Sequence, residues 1–301
     1  MSLNYQNIKI QPLPRPVVLL DICIISHIKS RANLESKGME VIKCLDELSE
    51  MAESGKYRFS LLMAILEKGT DYRNRLNAEK MIDVFKSDYS QIVEFLGPNN
   101  LVETPEALEQ LIPILMDANT PLELRAELSL PACIKLLDFF NRELRVYQTP
   151  GKNERLEYAE RVAEEAEHLG LKKGHPTIAI CIASIYGCQE ARNILKVKPD
   201  VNDFNASNAQ GDIQSFYRLA KTRSLLERMI PNDNLIFLTA DAALGDMHTW
   251  FKTTAMGESE EGTLMKTTIV PEKLLPALYK KGACIDQKQL ARIYELMDYK
   301  V

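Results

Sequence analysis

The sequence lacks the features that mark membrane, zinc and nucleotide-dependent proteins. Its 301 residues contain no apolar run of about eighteen residues or more, and no secretory signal stands at the N-terminus. The six cysteines form no C-x-x-C pair, and the four histidines show no H-E-x-x-H spacing. P-loop, G-x-G-x-x-G and G-x-S-x-G motifs do not occur. These absences predict a cytoplasmic protein with reduced thiols and no membrane partner. They argue against zinc catalysis, serine hydrolysis, NTP hydrolysis and dinucleotide chemistry.

The charge balance leaves a nucleic-acid partner open. A net charge of −5 argues against binding by bulk electrostatics, because such affinity comes from phosphate neutralisation by Lys and Arg. Local basic patches are still compatible with that total, and a carboxylate-rich metal site would itself make a nuclease acidic. With 46% hydrophobic residues the chain can bury a substantial core, as one large domain or two moderate ones.

The predicted strands come early and late in the chain, with a helical block between them. Short apolar runs predict strands at about 17–20, 57–60, 234–240 and 264–270. Apolar residues three and four apart predict helices at about 37–54, 75–86, 88–96, 104–117, 121–146, 151–169, 206–230 and 242–252, and a further apolar helix after His175-Pro176. A flexible loop is expected at 257–262. The simplest arrangement is an α/β fold, in which 1–70 and 200–301 form a parallel sheet flanked by helices and 71–199 forms an all-helical insertion or subdomain.

Aspartates close two of the predicted strands. Asp21 follows the apolar run at 16–20, and Asp241 follows the run at 234–240. Runs this short are typical of strands buried on both faces of a parallel sheet, and a carboxylate just past the end lies at the carboxyl edge of the sheet. The two carboxylates could therefore be neighbours in space, as in a metal site. Each aspartate has an alternative role as the N-cap of the helix or turn that follows it.

Two helices supply further candidate carboxylates. Glu67 closes an apolar helical run, which favours a buried position over a solvated glutamate at a helix end. Asp203 and Asp212 compete for the later helix. On a helix that begins near 206, Asp212 shares a face with Leu219 and Arg223, and the apolar part of that face would pack on the sheet. This favours Asp212, while Asp203 caps or precedes the helix.

The order of these motifs resembles that of the PIN-domain nucleases. In that family a strand ends in Asp, a following helix supplies Glu, a later helix starts with Asp, and the next strand ends in Thr-x-Asp. The matching positions here are Leu19-Leu20-Asp21, Glu67, Asp212 after Asn205-Ala206-Ser207-Asn208, and Leu238-Thr239-Ala240-Asp241. The resemblance covers roughly 16–69 and 200–252 and implies a PIN-like sheet. It does not account for the helical middle of the chain.

The resemblance implies metal-dependent hydrolysis of phosphodiester bonds. Asp21, Glu67, Asp212 and Asp241 would bind two Mg²⁺ or Mn²⁺ ions about 4 Å apart, and a metal-activated water would attack phosphorus without a protein nucleophile. Hard divalent ions prefer oxygen ligands, which suits a set of carboxylates. Without metal the carboxylates would repel one another, so at least one of them should take up a proton.

Four polar residues are candidates for contacts with metal-bound water or substrate. Thr239 could orient Asp241 through its hydroxyl group. Asn205 and Asn208 could contact metal-bound water, or they could merely satisfy the start of the helix. Arg223 lies on the predicted face of Asp212.

RNA is the expected substrate, because the resemblance points that way. The alternatives are a DNA or flap-type nuclease of the same fold, and a catalytically degenerate module that binds RNA or protein. The helical middle is expected to select the substrate, or a homodimer or cognate protein partner, and to contribute no metal ligands. It carries a set of basic residues that could track phosphates or could simply solvate the helices: Arg142, Arg145, Lys152, Arg155, Lys172, Lys173, Lys196 and Lys198.

Overall fold

The computed structural model describes residues 15–36, 38–69, 71, 74, 76–116, 130–226, 235–259, 262–279 and 286–299. Several positions that carry sequence predictions lie outside the described residues: 121–129, 227–230, Asn234, 260–261 and Cys284.

A parallel sheet of three strands lies at the centre of the fold, which is mixed α/β as predicted. Its strands are β1 (Val17–Leu20), β2 (Arg58–Ser60) and β3 (Leu235–Leu238), with β1 in the middle. All four residues of β1 are buried, because the strand has a neighbour on each side and helices on each face. Leu20 pairs with Leu238, so β1 and β3 end side by side at one edge of the sheet.

The strands are embedded in a larger set of helices. These are α1 (Ile22–Lys29), α2 (Met39–Glu53), α3 (Leu62–Gly69), α4 (Ala78–Leu96), α5 (Pro105–Leu115), α6 (Leu130–Phe139), α7 (Arg155–His168), α8 (Pro176–Ile185), α9 (Gln189–Leu195), α10 (Ala206–Leu226), α11 (Ala242–Trp250), α12 (Pro271–Leu274) and α13 (Gln287–Met297). A 3₁₀ segment (Arg31–Ser36) follows α1, and a π-helical segment (Phe140–Leu144) follows α6.

The predicted helices at 75–86 and 88–96 are one helix, α4. The chain has no glycine or proline between them, and Asp88 at the expected break is buried and paired with Lys29 at 2.7 Å. The helix therefore continues until Gly97, whose positive φ of 86° ends it.

The buried apolar side chains of the helices form two main clusters. Helices α1 to α5 share one apolar cluster with Val18 and Leu20 of β1, while α6 to α9 share another with α10, α11 and α13. On the opposite face of β1, Val17 and Leu19 pack with Leu219 of α10. The segment 71–199 is thus split between the two clusters, because the apolar face of α4 is buried against α1 and α2.

An antiparallel hairpin replaces part of the predicted helix at 242–252 and of the predicted loop at 257–262. Helix α11 stops at Trp250, and the chain continues as β4 (Phe251–Ser259) paired with β5 (Gly262–Ile269). Phe251 and Thr253 are buried while the residues between and after them are exposed, so the pattern has the two-residue period of a strand. Trp250 is half-buried, and Phe251 lies in the core.

Two further findings concern membrane-spanning helices and the state of the cysteines. Across the described ranges, no helix combines the length and the apolar character that crossing a bilayer requires. Five of the six cysteines are described, and each of them is a free thiol.

Candidate functional site

The two strand-end aspartates lie together at the carboxyl edge of the sheet. Asp21 directly follows β1, and its backbone N–H donates to the carbonyl of Leu238 at the end of β3 (3.1 Å). Asp241 comes three residues after Leu238 and begins α11. The parallel pairing of β1 and β3 therefore brings two carboxylates that are far apart in sequence to the same edge.

Thr239 connects these two aspartates. Its hydroxyl donates to Oδ2 of Asp21 at 2.6 Å and accepts from the backbone N–H of Asp241 at 3.1 Å. The sequence argument assigned this hydroxyl to Asp241, but the carboxylate that it holds is that of Asp21. A single side chain thus positions one carboxylate and the backbone that carries the other.

Both aspartates also cap helices. This is the alternative role that the sequence allowed for each of them. Oδ1 of Asp21 accepts from the N–H of Ile22 at 2.8 Å, and Oδ1 of Asp241 accepts from the N–H of Leu244 at 3.0 Å. A cap fixes the rotamer of its carboxylate and satisfies a free N–H at the helix start. Capping and a site role are therefore compatible at both positions.

Cys23 is a neighbour of Asp21 that the sequence argument missed. Its thiol donates to Oδ2 of Asp21 at 2.9 Å. Burial raises the pKa of the Cys23 thiol well above its usual range, and the adjacent Asp21 raises it further. The thiol therefore stays protonated and acts as a hydrogen-bond donor to the carboxylate.

Glu67, near the end of α3, is half-buried beside Asp21. Burial and the neighbouring Asp21 raise the pKa of Glu67 to about 9, although Arg218 opposes the shift. A hydrogen bond joins the two carboxyl groups. At neutral pH Glu67 is protonated, and its O–H group donates this hydrogen bond to Asp21. This is the protonation expected when carboxylates crowd together without metal.

Asp212, on the first part of α10, is the third of the four candidate carboxylates in chain order. Its Oδ2 accepts from Nζ of Lys196 at 2.7 Å, and its side chain is 13% exposed. Burial raises the pKa of Asp212 to about 6, with Asp241 and Asp21 adding to the rise and Lys196 opposing it. The competing Asp203 lies exposed in the loop before α10.

Lys196 was assigned to a solvent-facing basic surface, and its contact with Asp212 differs from that expectation. It follows α9, inside the segment expected to stay away from the site. Its side chain is 34% exposed, and its charge acts on Asp212, Asp241 and Glu67. Nothing in the local sequence marks it, because the contact depends on how α9 packs beside α10.

The four predicted carboxylates thus form one electrostatic cluster, which we call the carboxylate cluster: Asp21, Glu67, Asp212 and Asp241. Among the described residues, no group of three or more His, Cys, Asp or Glu side chains stands in a ready-made metal geometry. Glu67 is instead hydrogen-bonded to Asp21, and Asp212 is paired with Lys196. Carboxylate oxygens are the donors that Mg²⁺ and Mn²⁺ prefer, so the chemistry of the cluster fits such an ion.

A polar cleft of about 240 Å³ adjoins the cluster at Glu67. Asn205 and Asn208, the two asparagines predicted to contact bound water or substrate, both line it. Arg218 lines it as well; this side chain is 7% exposed and donates to the carbonyl of Gly211 at 3.4 Å. The cleft therefore offers amide groups and a buried guanidinium next to a carboxyl group.

Arg223 was the arginine predicted to lie beside Asp212, but the arginine that lines the cleft is Arg218. Arg223 is eleven residues beyond Asp212, so at a rise of about 1.5 Å per residue it lies about 16 Å farther along the same face of α10. The neighbour that its charge affects is His248, whose pKa is lowered to about 3, chiefly by burial and then by Arg223. Asp21 acts on the same histidine in the opposite direction, so His248 interacts with both Arg223 and a member of the carboxylate cluster.

Comparison of the chain with protein-family models, with curated proteins and with solved structures finds no match.

Replacing Thr239 is expected to disturb both strand-end aspartates. Thr239→Val removes the hydroxyl and leaves the Asp21 carboxylate and the Asp241 N–H short of a partner, which should cost about 1–3 kcal/mol of unfolding free energy. If the site cleaves phosphodiester bonds, as the resemblance implies, that activity should fall about 10- to 100-fold, as for groups that orient metal ligands. Thr239→Ser keeps the hydroxyl and serves as the control. Equal activity of the two variants in a nuclease assay would contradict the positioning role.

Proposed function

We propose that this protein is a PIN-like, metal-dependent endoribonuclease that uses Mg²⁺ or Mn²⁺. The observation that carries the proposal is the meeting of four carboxylates, from β1, α3, α10 and the start of α11, at the carboxyl edge of a parallel sheet. Ligand sites of open α/β folds lie at this edge. Structural ion pairs also perturb carboxylate pKa values, but the raised pKa values of Glu67 and Asp212 here arise beside a cleft, which favours a functional site.

Three of the four carboxylates would have distinct roles in holding a metal ion. A bound divalent ion supplies a Lewis acid that activates water and neutralises charge on the phosphate. Asp21 and Asp241 would hold it, because caps and Thr239 already fix their positions. Glu67 would join them after it loses the proton that it shares with Asp21.

The cleft beside Glu67 is the proposed location of the scissile phosphate. The buried guanidinium of Arg218 can bind phosphate oxygens, and the amides of Asn205 and Asn208 can donate to sugar or base. The preference for RNA over DNA comes from the resemblance to PIN-domain nucleases. Cleavage of DNA, and binding without cleavage, are the competing outcomes of the test.

The test is cleavage of end-labelled single-stranded RNA and of DNA with the same sequence. We expect the RNA to be cut in Mg²⁺ or Mn²⁺ and to stay intact in EDTA. Cleavage of DNA alone would turn the proposal into a deoxyribonuclease. Binding of RNA with no cleavage in either metal would support a degenerate binding module and overturn the enzymatic proposal.

A further inference from the structure

Lys196 has an unusual backbone conformation for a lysine. It stands at the C-cap of α9 with φ 52° and ψ 34°, in the left-handed region, and its N–H donates to the carbonyl of Arg192. Glycine or asparagine usually fills such a position, because other side chains are strained there. Arg145 and Asp298 end other helices in the same conformation, so the role of the Lys196 side chain has to be judged from its contacts.

The ammonium group of Lys196 enters the carboxylate cluster from the side of α9. Nζ lies 2.7 Å from Oδ2 of Asp212. Asp241 and Glu67 lie near enough for their charges to act on this ammonium group as well. Lys196 is therefore charged and interacts with three of the four carboxylates.

The charges around the cluster determine how many metal ions it can hold. Four ionised carboxylates carry four negative charges, and the charges of Lys196 and Arg218 act directly on members of this set. These two cations balance half of the negative charge. One divalent ion balances the other half, whereas a second would leave a largely buried site with an excess of positive charge, which is unfavourable.

We propose that Lys196 is a built-in cation that occupies the place of a second metal ion, so that the site binds one divalent ion per chain. Asp212 stays paired with Lys196, and Asp21, Glu67 and Asp241 remain for the ion. The inference rests on the proposed function, and it departs from the two ions that the resemblance implies.

Counting bound Mn²⁺ on the intact protein tests this inference, by equilibrium dialysis and by the electron paramagnetic resonance signal of free Mn²⁺. Lys196→Gly removes the charge at a position whose positive φ suits glycine, so the end of α9 should be preserved. Lys196→Arg keeps the charge and is a second variant. Lys198→Ala, two residues away at an exposed position, is the matched control.

We expect one Mn²⁺ per chain for the wild type, for Lys196→Arg and for Lys198→Ala, and two for Lys196→Gly. Two ions on the wild type, or one ion on Lys196→Gly with unchanged affinity, would overturn the inference.

The cleavage assay separates the two proposals. RNA cleavage by a wild type that binds two ions keeps the nuclease and rejects the role of Lys196. One bound ion, a second ion on Lys196→Gly and no cleavage support the role of Lys196 and reject the nuclease. No Mn²⁺ binding rejects both.

Discussion

Asp241→Asn is expected to lower RNA cleavage about 10²- to 10³-fold without unfolding the protein. The amide oxygen of asparagine can still accept from the N–H of Leu244, and asparagine is as good an N-cap as aspartate. The substitution removes one negative charge from a crowded cluster, so the melting temperature in metal-free buffer should be unchanged or raised. Cleavage rate and thermal unfolding, measured on the same preparation, check both parts.

Asp246→Asn is the matched control for this variant. Asp246 lies exposed on the same helix, α11, so it loses the same charge away from the cluster. Its cleavage rate should equal that of the wild type. If Asp241→Asn also cleaves at the wild-type rate, the catalytic site lies elsewhere.

Asp21→Asn should lose activity to a similar extent, but it should also lose stability. Oδ2 of Asp21 accepts from both Thr239 and Cys23, and an amide NH₂ in that place cannot accept from either. The loss should be about 1–3 kcal/mol. The sequence alone predicts unchanged or raised stability for both aspartate variants, because it does not show that Thr239 and Cys23 donate to Asp21.

Glu67→Gln is expected to remove a large pH dependence of stability in metal-free buffer. In the wild type Glu67 keeps its proton up to a pKa of about 9 in the folded state, against an ordinary value of 4.5. Between these values the folded state holds one more proton than the unfolded state, so stability falls as the pH rises. Each pH unit lowers the free energy of unfolding by about 1.4 kcal/mol, so the loss between pH 5.5 and pH 8 is up to about 3 kcal/mol.

Denaturant unfolding across this range measures the effect. The wild type should lose stability with rising pH, and Glu67→Gln should lose much less. Glu167→Gln, an exposed glutamate in the last turn of α7, should behave like the wild type. Parallel pH profiles for the wild type and Glu67→Gln would show that Glu67 is ionised in the folded protein.

The same proton links pH to metal binding. A divalent ion can use Glu67 only after the proton leaves, so Mn²⁺ should raise the melting temperature of the wild type more at pH 8 than at pH 6. In Glu67→Gln this difference between the two pH values should shrink.

The strand-end aspartates were the most predictable part of the site. Each closes a short apolar run, and an apolar run with a fixed end can be recognised without knowledge of its neighbours. Glu67 and Asp212 were harder, since a helical carboxylate can face either solvent or the sheet. The apolar residues around them predicted the inward direction, and both lie in the carboxylate cluster.

The contacts between distant segments could not be predicted in this way. Lys196 and Arg218 reach the cluster because α9 packs against α10 and α10 packs against α3, and neither residue is marked by a local pattern. The apolar face of α4 predicts that the helix is buried but does not predict which surface covers it. The sequence therefore did not show that α4 and α5 pack in one apolar cluster and α6 to α9 in another.

The sequence by itself determined the α/β class, the buried central strand and the identity of the four acids, because these follow from periodicity and from where each apolar run ends. Only the tertiary structure decided which acid carries the proton, which cation pairs with Asp212 and which carboxylate Thr239 holds. Those outcomes depend on distances of a few ångströms and on burial. Both are properties of segments brought together by folding, and no single segment contains them.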